Sequence, residues 1–271
     1  MNFKNKLINI INKNNSLVCI GLDPVIEKLP KDILRKSDPI FEFNKAIIAQ
    51  TYDLVCAYKP NIAFYEAEGI KGLQSLKKTI DYLRKNHSQI PIILDAKRAD
   101  IDNTTKMYAK AIFEYWQVDA TTVCPYLGYD SIKPFLDYKD KYIFFLIKTS
   151  NPDAKTFQDV KVKNEPFYLY LAQEVKKWKG ENIGLFCGAT YPRELAKIRD
   201  IFPQRPILTA GLGTQKGKTK LVVKAGINNK GLNLICNSSR GIIYASAEKN
   251  FAQTARRETK KLKKLINKYR F

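Results

Sequence analysis

A single histidine, His87, stands in the 271 residues, and its scarcity removes whole classes of chemistry. Imidazole-based triads and His-rich metal sites are all but excluded, which leaves proton transfer to Lys, Asp, Glu or Tyr. His87 itself falls in Asn86-His87-Ser88-Gln89, a turn-like stretch where a solvated loop residue is expected. The five cysteines, Cys19, Cys56, Cys124, Cys187 and Cys236, each sit in an apolar run and no pair has CxxC spacing. They read as buried free thiols of a reducing compartment, not as a metal site or a disulfide framework. No apolar run approaches the ~18–20 residues of a membrane span, and Met1-Asn2-Phe3-Lys4-Asn5-Lys6-Leu7 carries no secretory signal. A soluble, cytoplasmic chain that engages no membrane is expected. Acidic residues are also short, at 26 against 47 basic ones, giving a formal charge of +21. Of the basic residues only 10 are arginine and 37 are lysine, spread along the chain among many asparagines. Base recognition favours arginine and stacking aromatics, so the charge reads as a general surface property and no nucleic acid is expected as partner. It would steer a phosphorylated substrate.

What is present is a core: 45% hydrophobic residues and 11% aromatics. Short apolar runs alternate with longer helical patterns. The candidate strands are Leu17 to Leu22, Leu54 to Lys59, Ile92 to Lys97, Ala120 to Cys124, Tyr142 to Thr149, Ile183 to Cys187, Pro206 to Ala210 and Leu232 to Asn237. Between them, sets such as Ile70, Leu73, Leu76, Ile80 and Leu83, or Tyr108, Ala111, Ile112 and Tyr115, have the spacing of amphipathic helices. Strands apolar on successive residues belong to parallel sheets covered on both faces. Eight such units predict an α/β fold, a (β/α)8 TIM barrel, with residues 1–271 as a single domain, since such barrels often run to ~200–250 residues. The basic stretch Gln253 to Phe271, with Leu262, Leu265, Ile266 and Tyr269 at helical spacing, reads as the closing helix with a solvated outer face.

In a parallel barrel the chemistry lies at the carboxyl ends of the strands. There the chain places Asp23-Pro24, Lys59-Pro60-Asn61, Asp95-Ala96-Lys97 with Asp100, Lys148-Thr149-Ser150-Asn151-Pro152, Gly188-Ala189-Thr190, Gly211-Leu212-Gly213-Thr214-Gln215, and Asn237-Ser238-Ser239-Arg240-Gly241. The third of these is the most informative. Ile92-Ile93-Leu94 runs directly into Asp95, and Lys97 two residues on would share its strand face. Carboxylates and an ammonium at the mouth of a core strand are costly to desolvate and mark candidate catalytic groups. Asp102 or Asn103 is expected to cap the helix that follows. The loops after the last two strands are the usual phosphate station, where glycines admit backbone N–H groups to an anion, Arg240 offers a bidentate fork and Gln215 a neutral donor.

These residues resemble the orotidine 5'-phosphate decarboxylase family, in its longer bacterial form. The D-x-K-x-x-D motif stands as Asp95-Ala96-Lys97-Arg98-Ala99-Asp100, followed by Ile101 and Thr104. Leu22-Asp23-Pro24, Tyr58-Lys59-Pro60-Asn61, Thr149-Ser150-Asn151-Pro152, Gly188-Ala189-Thr190 and Ser239-Arg240-Gly241 follow in the expected order along nearly the whole chain. The core motif is shared by related barrel lyases on sugar phosphates, such as keto-gulonate phosphate decarboxylase; Lys59 and the Thr149-Ser150-Asn151-Pro152 loop favour the orotidylate enzyme. The resemblance implies decarboxylation of orotidine 5'-phosphate to uridine 5'-phosphate, the last step of de novo UMP synthesis, without cofactor or metal. It implies that Lys97 protonates C6 of the pyrimidine and that Asp95 and Asp100 hold it. Lys59 and Asp23 would bind the ribose, Lys59 also joining the catalytic Lys/Asp network, Ser150 the pyrimidine amide, and Gln215 with Arg240 the phosphate. Asp100 and Thr104 would come from the partner of a homodimer, and association with a separate orotate phosphoribosyltransferase is left open. Two departures stand out: relatives commonly carry glycine in place of Asp102 and proline in place of Ala210. Two alternatives compete, a metal-dependent lyase or aldolase on a sugar phosphate and a non-enzymatic polyanion-binding barrel.

Overall fold

The computed structural model describes residues 1–213 and 216–270. Its strands are β1 (Val18–Leu22), β2 (Ala57–Pro60), β3 (Ile93–Arg98), β4 (Ala120–Val123), β5 (Tyr142–Lys148), β6 (Lys161–Val162), β7 (Glu165–Pro166), β8 (Ile183–Gly188), β9 (Ile207–Ala210) and β10 (Leu234–Ser238). Each of the eight apolar runs forms a strand. They assemble in the order β2-β1-β10-β9-β8-β5-β4-β3, all parallel. Single bridges Tyr58 to Ile92 and Asn61 to Asp95 join the two ends, so the sheet closes into a (β/α)8 barrel whose weakest seam lies between β2 and β3. Asp95 sits on that seam. Every residue of β1, β2, β4, β8 and β10 is buried, as expected of strands covered by helices outside and side chains inside.

Two elements were not evident from hydrophobic spacing. The helix Phe3–Asn14, capped by the Asn2 side chain, which accepts the Asn5 N–H at 3.0 Å, packs Phe3 on Tyr142 and Phe144 at the start of β5. The second is an excursion between β5 and β8, made of the short helix Ala154–Gln158 and the antiparallel hairpin β6–β7. Its anchor is Lys148, fully buried at the end of β5, whose Nζ lies 2.5 Å from Asp159 and 4.7 Å from the centre of the Tyr191 ring. Gln158 adds two bonds, accepting the Thr149 N–H at 2.9 Å and donating to Thr149 Oγ1 at 2.8 Å. The excursion therefore holds the segment that carries Ser150.

The helix Gly69–Asn86 forms where its spacing predicts, but Ile70 is 76% exposed and the buried stripe is Gly72, Ser75, Leu76, Thr79, Ile80 and Leu83. Small polar residues complete that stripe, which a search for apolar spacing overlooks. The closing helix, Phe251–Asn267, stacks Phe251 on Phe43 and clamps Asp53 between two Arg256 nitrogens, at 2.5 and 2.7 Å. Its basic outer face is solvated, as expected. The five cysteines are free, four of them buried, and burial pushes the Cys19 thiol up to about 12. Among the described residues no helix is long and apolar enough to cross a membrane.

Candidate active site

The Asp95 carboxylate is the centre of the site. Its Oδ2 accepts from Lys59 Nζ at 2.8 Å, and its Oδ1 accepts from Lys97 Nζ at 2.5 Å and from Thr122 Oγ1 at 2.8 Å. Asp95 and Lys97 meet as their spacing suggests, but not by regular strand alternation. From Leu94 to Arg98 β3 advances four residues while β4 advances two, from Thr121 to Val123, so β3 carries a bulge. Lys97 lies on it with φ 49°, in the left-handed region. Bulges re-aim side chains beside active sites, and non-glycine residues held at positive φ persist where the surroundings fix them.

Burial alone would push the Asp95 carboxyl up, but the Lys59 and Lys97 ammonium groups outweigh it and hold it well below the usual carboxylate range. Burial would likewise lower Lys59, and the carboxylates of Asp95 and Asp23 reverse this and raise it. Both groups stay charged at neutral pH. A divalent cation would find Asp95 already surrounded by two ammonium groups and a hydroxyl.

A cavity of about 680 Å³ opens at this end of the barrel. Asp23, Lys59, Asp95, Ser150 and Arg240 line it together with Gly211 and Gly213. Lys97 adjoins it through Asp95, its side chain 46% exposed. The backbone explains two of these placements. A Cβ on Gly21 would stand 1.7 Å from Ser239 Oγ, so only glycine lets the Ser239-Arg240 segment lie against β1. A Cβ on Gly188 would stand 2.8 Å from the Ser150 Cβ, so Ser150 rests on bare backbone at the end of β8. Arg240 opens the short helix Arg240–Ile243, and its exposed guanidinium meets no acceptor among the described residues. Asp23 Oδ1 and Asn237 Oδ1 are buried acceptors without a partner there. Buried acceptors ordinarily have one, so both are poised for donors from a bound molecule.

Asp100 and Thr104 do not join this group within their own chain. The Asp100 carboxylate accepts the Ile101 N–H at 2.8 Å and forms no ion pair with Lys97; Thr104 is exposed. Gln215 lies outside the described residues. The helix cap expected at Asp102 or Asn103 is displaced: the helix is Asp102–Lys110, the cap position is Ile101, and no side chain caps it. The reason is local. Asp100 takes the Ile101 N–H and accepts the Thr105 hydroxyl on its carbonyl, which starts the helix earlier. Asp102 adopts φ 46° in its first turn.

A sequence profile of the Orotidine 5'-phosphate decarboxylase / HUMPS family matches residues 16–255. The chain belongs to that family. It is 46% identical over 251 residues to the orotidine 5'-phosphate decarboxylase of Flavobacterium johnsoniae, covering 92% of each chain. It is 43% identical over 274 residues to that of Thermomicrobium roseum, covering 100% of this chain and 96% of the other. Among solved structures, the OMP decarboxylase of Leishmania donovani superposes with a TM-score of 0.85 at 34% identity, covering 100% of this chain and 99% of that one. The UMP synthase of the same organism superposes with a TM-score of 0.87 at 35% identity, covering 57% of its length. At φ 46° Asp102 occupies the left-handed region, which glycine enters at no steric cost and aspartate enters more readily than most residues. Ala210 ends β9 and its carbonyl accepts the Ala189 N–H at 2.9 Å, ahead of Gly211 at φ 93°.

Two residues of the site escaped the sequence analysis. Thr122 looked like one more residue of an apolar strand. Tyr244 follows Arg240 by one helical turn, and its hydroxyl accepts the Val25 N–H at 2.6 Å and donates to the Asp23 carbonyl at 2.9 Å, fixing the loop that carries Asp23. Polar residues inside apolar strands, and hydroxyls one turn from a ligand candidate, are the signals that could have found them.

Proposed function

We infer that this chain decarboxylates orotidine 5'-phosphate to uridine 5'-phosphate in pyrimidine biosynthesis, as a carboxy-lyase. The observation that carries the inference is the buried Asp95 carboxylate held between Lys59 and Lys97 at the mouth of a family barrel. Loss of carbon dioxide from C6 leaves an electron pair in the ring plane, where no conjugated sink reaches it, so charge placement must lower the barrier. The Lys97 ammonium stabilises that developing carbanion and delivers its proton to C6, forming the C–H bond as the C–C bond breaks. Asp95 destabilises the substrate carboxylate by like charge and fixes Lys97. Lys59 keeps Asp95 ionised.

Of the residues in the remaining roles, Asp23, Lys59, Ser150 and Arg240 line the cavity, which supports the assignment. Asp23, with its unpartnered Oδ1, and Lys59 take the ribose hydroxyls, Ser150 the pyrimidine amide, and Arg240 with Gln215 the phosphate. Binding energy from the remote phosphate is then spent on the reacting end. Asp100 and Thr104 act in the neighbouring site of a homodimer. Exposed Ile101, Met107, Tyr126 and Leu127 on the segments following β3 and β4 support a second copy on this face. The free thiols support a cytoplasmic setting.

The test follows orotidylate absorbance with purified protein and a chelator. Decay to the uridylate spectrum is expected with and without chelator. A silent protein, or activity abolished by the chelator, would favour a sugar-phosphate lyase instead.

A further inference from the structure

We propose that Thr122 is a positioning residue of the reaction, its hydroxyl setting both the Asp95 carboxylate and the backbone that carries Lys97. The proposal rests on the reading of Asp95 and Lys97 as the reacting pair. At the bulge, two extra residues of β3 interrupt the ladder with β4, and regular pairing no longer serves the Lys97 N–H. Thr122, opposite the bulge and 1% exposed, supplies what the ladder loses. Its Oγ1 accepts the Lys97 N–H at 3.0 Å. The same oxygen donates its proton to Asp95 Oδ1 at 2.8 Å.

The two bonds have one direction. Because the Oγ1 proton is committed to a carboxylate, its lone pairs face the Lys97 amide, so one hydroxyl ties a backbone at φ 49° to the charge that its side chain must meet. Oδ1 thus receives two donors, Lys97 Nζ and Thr122 Oγ1, and Oδ2 receives Lys59. Without the hydroxyl, Oδ1 has only the flexible, half-exposed Lys97 to orient it. The carboxylate can then rotate and the bulge can relax. Both displace the ammonium from where a C6 carbanion would form. The phosphate contact assigned to Arg240 does not pass through Asp95, so the binding of UMP, which keeps that contact, is expected to change little.

The substitution Thr122→Val keeps the branched shape and removes the hydroxyl; Thr122→Ser keeps the hydroxyl. A hydrogen bond to a charged group contributes about 1.5–3 kcal/mol, so kcat of Thr122→Val should fall roughly 10- to 100-fold, with KM and the Kd of UMP within about threefold of wild type. Thr122→Ser should restore kcat to within about threefold. A hydroxyl serving only the fold would lower Tm and leave kcat of the folded protein unchanged. That outcome, or a loss that serine does not rescue, overturns the proposal. If Thr122→Val does not fold, Thr122→Ala removes the same hydroxyl without filling the space and is read by the same criteria. Lys97→Ala, measured in parallel, separates the two levels: if it stays active the reading of the reacting pair fails, and if it is inactive while Thr122→Val matches wild type only the role of Thr122 fails.

Discussion

Replacing Lys59 by methionine isolates the buried ion pair from the rest of the site. The Lys59 side chain is 4% exposed and that of Asp95 10%, so the pair is desolvated in earnest. Removing one partner of such a pair costs about 3–5 kcal/mol, because the other charge is left uncompensated. Here Lys97 and Thr122 remain on Oδ1, and Lys97 is partly screened by solvent, which puts the cost near the lower end, about 3 kcal/mol. For a chain of this length that is a Tm loss of about 6–12 °C. The pH dependence has a definite sign. Asp95 is depressed in the folded protein, so its contribution is present above the ordinary carboxylate range, ~4, and is lost as pH falls through the lower folded value. Lys59 is raised, so its contribution is present below ~10.4 and is lost as pH rises through the higher folded value. Thermal melts of Lys59→Met should therefore trail wild type by a constant margin between about pH 5 and 9, with the gap narrowing below ~4. The double variant Lys59→Met/Asp95→Leu, with both charges replaced, should recover much of the stability and none of the activity. If Lys59→Met melts within about 2 °C of wild type, or the double variant is no more stable than the single one, the pair does not carry the energy assigned to it.

Four further outcomes are expected. Arg240→Ala should cost about 1.5–3 kcal/mol of transition-state stabilisation in kcat/KM, as for a lost hydrogen bond to a charged group; an unchanged kcat/KM removes Arg240 from the phosphate site. Gly188→Ala should raise KM through displacement of Ser150, since its Cβ would crowd Ser150 at 2.8 Å; steady-state kinetics with an unaltered KM would contradict this. Lys148→Met should change stability by less than about 1 kcal/mol, because the Asp159 left behind is 42% exposed, yet it should speed proteolysis within 153–166; protection equal to wild type would show the anchor to be dispensable. Light scattering should give twice 31.1 kDa, and a monomer of full activity would leave Asp100 and Thr104 without a role.

The strands were legible because each is buried on both faces, so Val, Ile, Leu and Phe run on successive residues with polar rim residues marking their ends. The Asp95-Lys97 meeting was legible from spacing, while the bulge that produces it was not, because register depends on β4 and on Thr122 across the ladder. The helix cap at Asp102 or Asn103 failed for a related reason: the Asp100 side chain holds the N–H of Ile101, the cap residue, and the Asp100 carbonyl holds the Thr105 hydroxyl, so the helix opens at Asp102. The helix Phe3–Asn14 hid because its contacts are with remote residues, Phe3 with Tyr142, and the hairpin β6–β7 because its strands are only two residues long. The only local signal of Tyr244 was its place one turn after Arg240, since its partners Asp23 and Val25 lie at the other end of the chain.

The central claim is that the Lys97 ammonium, held by Asp95, carries the decarboxylation. Its most direct test is kcat/KM of Lys97→Ala on orotidine 5'-phosphate beside its Kd for UMP. A loss of at least about 10³-fold, typical of removing a group that acts only in the transition state, with UMP affinity kept within about tenfold, is the predicted result. Decarboxylation by Lys97→Ala at a rate within about tenfold of wild type would contradict it.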